Sequence, residues 1–87
     1  METTKGDIQR YLEDRHPEKV KQAKENGTYD NLVQKQYMAT LKKFNELKQS
    51  YLRSDPIPKD ATMMQAYQKI REAERAAQEL LNEEMMY

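Results

Sequence analysis

Apolar residues recur along this chain with the spacing of helices. Ile8, Tyr11 and Leu12 stand at i, i+3 and i+4, one face of a helix predicted over residues 7–15. Pro17 closes that segment, because the residue before a proline avoids the α region. The same proline suits the first position of a second helix, predicted over 17–26. That helix carries only Val20 and Ala23 as apolar contacts and ends at Asn26-Gly27, where Gly27 can take the left-handed conformation. A third helix is predicted over 29–53, with Thr28 as its N-cap. Its stripe of Val33, Tyr37, Leu41, Phe44, Leu47 and Tyr51 falls within roughly 120° of arc. Two prolines interrupt the chain in the linker 54–60. Asp60 is the expected cap of a fourth helix over 61–86, whose stripe is Met63, Ala66, Tyr67, Ile70, Ala73, Ala77, Leu80 and Leu81.

The predicted fold class is therefore all-α. Two short helices precede two long ones, and a short linker between long amphipathic helices favours an antiparallel hairpin. The short helices are expected to pack across it and complete a small bundle, one domain over 1–87.

Composition supports this reading. Val occurs only at 20 and 33 and Ile only at 8, 57 and 70, while strong helix formers dominate. Apolar residues make up 37% and charged residues 34%, polar for a globular chain but without the signature of disorder. At 87 residues the core must be thin. No apolar run approaches membrane-spanning length and no apolar leader segment follows Met1, so a cytoplasmic protein is expected.

Charge is balanced overall, at 15 basic and 15 acidic residues, but it is unevenly placed. Residues 31–59 carry six basic and two acidic side chains, whereas residues 60–87 carry three basic and six acidic. Within the first of these segments, Lys35, Lys42 and Arg53 project within roughly 20° of one another, opposite the apolar stripe. Such a ridge can follow a phosphate backbone. A solvated outer face is the plainer explanation, Glu46 interrupts the ridge, and the pI of 6.6 speaks against strong affinity for DNA. Glu72, Glu79 and Glu83 form an acidic counterpart on the fourth helix, suited to a basic protein surface or again simply to water. The soft apolar end Met85-Met86-Tyr87 is a third candidate contact, since methionine adapts to binding surfaces. Glu74 falls inside the apolar arc of its helix, where a carboxylate needs a partner or a path to the rim. The Tyr37 hydroxyl or a basic residue of the first helix is the expected partner.

Catalytic chemistry has no foothold in this sequence. Cysteine is absent and His16 is the sole histidine, so neither a thiolate nucleophile nor a zinc site is expected. His16 sits at a helix junction, where capping is its expected task. Gly6 and Gly27 are isolated and make no phosphate-binding loop. The chain is read as a non-enzyme without cofactor.

Two segments resemble the transposon-encoded TnpV proteins. One is Arg10-Tyr11-Leu12-Glu13-Asp14-Arg15-His16-Pro17 with Gly27 at matching distance, similar to the family's Arg-Tyr-Leu, acidic, basic pair, Pro block. The other is the run from Ala77 to Tyr87, which looks like the family's closing helix. The chain departs from the pattern near Ala66, where the family's last helix has tryptophan, and at Lys19-Val20, where the family has Leu-Tyr. The resemblance implies an accessory or regulatory protein of a mobile genetic element. Expected partners are a host or element protein, such as a nuclease or recombinase, with self-association also open. An inhibitor of a host defence nuclease is one version. The alternative is a DNA-binding accessory factor of excisionase type.

Overall fold

In a computed structural model, which describes residues 1–86, the chain forms four helices and, among the described residues, no strand. They are α1 (Lys5–Arg15), α2 (Pro17–Asn26), α3 (Tyr29–Ser54) and α4 (Met63–Met86). The all-α class is as the periodicity implies.

Local chemistry explains each boundary. α1 starts two residues earlier than the apolar pattern indicates, because Thr4 caps it. The Thr4 hydroxyl accepts from the Asp7 backbone N–H at 3.2 Å, and the Asp7 carboxylate accepts from the Thr4 N–H at 3.0 Å. This reciprocal pair satisfies two donors that the helix leaves open. It also holds the Asp7 carboxyl below its ordinary range, chiefly through the hydrogen bond from the Thr4 backbone. Pro17 opens α2 in the first turn, and Gly27 ends it at φ 70, in the left-handed region. Its N–H returns to the carbonyls of Ala23 and Lys24, and that of Thr28 to Ala23, closing the exposed end of the helix.

α4 begins at Met63, and Asp60 is not its cap. Asp60 lies in a turn, while Thr62 and Gln65 form the reciprocal pair: the Gln65 N–H donates to the Thr62 hydroxyl at 3.1 Å and the Thr62 N–H to the Gln65 side-chain oxygen at 3.0 Å. The three-residue spacing of Thr62 and Gln65 suits this exchange. His16 is also not a side-chain cap. It caps both helices through its backbone instead: its N–H donates to the Leu12 carbonyl at 2.8 Å at the end of α1, its carbonyl accepts from the Val20 N–H at 3.1 Å in α2, and its ring meets that of Tyr11 edge-on at 5.9 Å.

The chain divides into two compact units. One is Glu2–Leu41, with α1, α2 and the first part of α3. Here α1 lies against α2, and Ile8, Leu12, Val20, Ala23 and Val33 are removed from solvent. Tyr29 lies against Glu13 of α1, its hydroxyl 3.5 Å from the carboxylate, and the Lys24 ammonium sits 5.1 Å from the Tyr29 ring centroid. Burial, then the Glu13 charge, pushes the Tyr29 hydroxyl above its ordinary pKa.

The other unit comprises Met1 and the chain from Lys42 onward. It contains the second part of α3 and all of α4, and the two long helices pack together as an antiparallel pair. The direction follows from the cross-helix ion pairs: Lys43 meets Glu84 at 3.8 Å and Lys48 meets Glu74 at 3.9 Å, so α4 descends as α3 rises. Lys69 joins Asp55 just beyond the end of α3 and continues the same register. Phe44, Ala77 and Leu81 form the buried centre, with Met1, Leu47 and Met85 packed against them.

Candidate functional site

The charged ridges remain on the outside. Lys35 is exposed in the Glu2–Leu41 unit, at the edge of a shallow groove it shares with Lys19, Asn26 and Asn31. Lys42 and Arg53 are exposed in the other unit, so the three residues are not gathered within one compact unit. Neither Lys42 nor Arg53 enters an ion pair among the described residues, whereas the flanking Lys43 is bound to Glu84. Glu72, Glu79 and Glu83 are all exposed along α4.

Glu74 finds a partner other than those the wheel indicated. Its carboxylate pairs with Lys48 at the half-exposed rim of the α3–α4 seam. The reason is register: Lys48 lies at the height on α3 that faces Glu74. Such a rim pair contributes well under about 1 kcal/mol. It gives the carboxylate a cationic partner without burying it. Lys69, paired with Asp55, is held above its ordinary pKa chiefly by that hydrogen bond.

Met85 packs partly against the Phe44–Ala77–Leu81 centre, so a share of its side chain belongs to the chain's own interior. The Met86 side chain and Tyr87, proposed with it as contact surface, lie outside the described residues.

The largest departure from the helical wheel is at the start of α4. Met63, Tyr67 and Leu80 belong to its apolar stripe, yet all three are exposed, Leu80 the least. Met63 is 91% exposed, Met64 72% and Tyr67 59%. The interior of this unit is instead carried by Ala73, Ala77 and Leu81, with Ala66 and Ile70 half-buried. Met63, Met64 and Tyr67 therefore form a continuous apolar surface over the first turns of α4. Arg71 completes it: its guanidinium lies 5.6 Å from the Tyr67 ring centroid and donates to the Tyr67 hydroxyl at 3.2 Å. The sequence did carry a signal for this. Met64 stands about 100° from Met63 and cannot share the inward face with Ala73 and Ala77.

Among the described residues no group of histidine, cysteine and carboxylate side chains is arranged to hold a metal ion, and no helix is long and apolar enough to cross a membrane. No family profile, characterised protein or solved structure matches the chain.

Proposed function

We propose that this chain is a protein-binding accessory module of a mobile genetic element, acting through contact rather than catalysis. The observation that carries the binding part is the exposed Met63–Met64–Tyr67 surface. Three large apolar side chains at adjacent positions of one helix are costly to leave in water. Scattered exposed hydrophobics are ordinary, but grouped ones mark contact sites. Methionine, tyrosine and arginine are also the residue types enriched where proteins meet. The mobile-element part rests on the likeness of Arg10–Pro17 and Ala77–Tyr87 to TnpV proteins. A blocker of a host defence nuclease is the specific version that small size and an exposed, adaptable face suit best.

A second reading, an excisionase-type DNA-binding factor, draws support from Lys42 and Arg53, which are exposed and outside the ion pairs. The two readings separate in one experiment. The tagged chain and its Met63→Asp/Met64→Asp variant are used for pull-down from host lysate, beside a gel-shift on element-end DNA. The expected result is one protein retained by the wild-type chain and lost from the variant, with no DNA shift. A salt-sensitive DNA shift abolished by Lys42→Glu/Arg53→Glu, with no retained protein, would reverse the order.

A further inference from the structure

We propose that the face of α4 bearing Met63, Met64 and Tyr67 receives an acidic amphipathic helix of a partner protein, its carboxylates taken by Arg71 and Arg75. This inference rests on the protein-binding reading and names the chemistry of the partner.

At 100° per residue, Met63, Tyr67, Arg71, Met64 and Arg75 fall within about 120° of the α4 surface, in that angular order. The three apolar side chains occupy the first turns and the two guanidinium groups the next. Both arginines are exposed, and neither enters an ion pair among the described residues. One carboxylate falls in the same arc, that of Glu74, and the Lys48 ammonium stands 3.9 Å from it. The face is therefore apolar and net positive, although α4 as a whole is acidic. Its acidic residues Glu72, Glu79 and Glu83 lie about 160–200° from Met63, beyond the Arg75 edge of this arc. A partner that covers the methionines meets Arg71 and Arg75 before it reaches the carboxylates beyond them. Charge complementarity then selects acidic over basic segments.

Arg71 is also preorganised. Its guanidinium lies over the Tyr67 ring and donates to the Tyr67 hydroxyl, contacts that favour one side-chain rotamer. A planar guanidinium in that position can take a carboxylate through two parallel hydrogen bonds, and little further entropy is lost on binding. The apolar part of the face lies in angular line with an interface the fold already uses, with the Glu74–Lys48 pair between the two. Met63 and Tyr67 share their angular positions with Leu81 and Met85 near the other end of α4, and those two are buried and half-buried beside Phe44. The same strip of the helix is covered at one end and open at the other. An amphipathic helix is the element that extends such a seam, with leucine-type side chains on the methionines and carboxylates flanking them.

Backbone amide NMR of the full chain, titrated with three designed 18-residue helical peptides, tests this. The first carries leucines on one face with glutamates at the flanks. The second has lysine at every glutamate, and the third keeps the glutamates but has glutamine for leucine. The acidic leucine peptide is expected to shift the amides of residues 63–75 saturably. The other two are expected to bind at least tenfold more weakly. Arg71→Gln/Arg75→Gln, at positions exposed enough to leave the fold intact by circular dichroism, should weaken the acidic peptide tenfold or more. Arg71→Glu/Arg75→Glu should transfer preference to the lysine peptide. Equal binding of the lysine peptide, shifts confined to other residues, or no shift at millimolar acidic peptide each overturn the proposal. So do shifts at 63–67 that depend on protein concentration alone, which would make a second copy the occupant. A lysate partner lost on Met63→Asp/Met64→Asp would still support the protein-binding reading after any of these.

Discussion

Leu80 and Leu81 are neighbours of the same type on α4, and the packing of that helix predicts opposite responses to truncation. Leu81 is 2% exposed and sits with Phe44 and Ala77 at the centre of its unit, whereas Leu80 is 47% exposed. Truncating Leu81 to alanine removes the transfer energy of a fully buried side chain and leaves a cavity whose rigid walls relax only in part. The expected cost is about 2–5 kcal/mol. For a chain of 87 residues, total stability is on the order of 4–13 kcal/mol, so this is a large fraction of it. The melting temperature should fall by roughly 10 °C or more. Leu80→Ala forfeits only about half of the burial term and opens no enclosed cavity. Alanine is in addition the better helix former, which offsets part of the loss, and the cost should stay below about 1 kcal/mol. Thermal and urea unfolding followed by circular dichroism at 222 nm measures both. Equal losses for the two variants, or a larger loss at Leu80, would refute the packing assigned to α4. An unchanged melting temperature for Leu81→Ala would refute the Phe44–Ala77–Leu81 centre itself.

Two further predictions concern helix ends. Gly27 holds φ 70 with open space where a Cβ would stand, so Gly27→Ala should cost about 1 kcal/mol from backbone strain alone, while Gly27→Asn costs less; equal melting temperatures for all three would argue against the left-handed cap. The Asp7 carboxyl is held below its ordinary range by the Thr4 N–H, so its charge stabilises the fold above the usual aspartate range and that contribution is lost as the pH falls through the lowered pKa. Asp7→Asn should therefore lower the urea midpoint at pH 7 and make progressively less difference toward strongly acidic pH, and a gap that widens on acidification would contradict the cap.

What the sequence determined by itself is what short-range chemistry decides. Pro17 and Gly27 bound α2 because proline fixes φ and lacks a donor while glycine tolerates positive φ, and neither effect needs a tertiary partner. Helical periodicity likewise gave the all-α class and the sides on which Lys42, Arg53, Glu72, Glu79 and Glu83 stand. The Thr4–Asp7 and Thr62–Gln65 caps were equally local; they were legible in the three-residue spacing, which outranks the apolar onset at Ile8 and the acidic residue at Asp60. Tertiary structure alone decided what covers each position. A wheel assigns Met63, Tyr67 and Leu81 nearby angles, but angle is only one coordinate of a helix surface. Height along the axis is the other, and it sets which part of the neighbouring helix, if any, lies opposite. That second coordinate buries Leu81 beside Phe44, gives Glu74 to Lys48, and leaves Met63, Met64 and Tyr67 open to a partner.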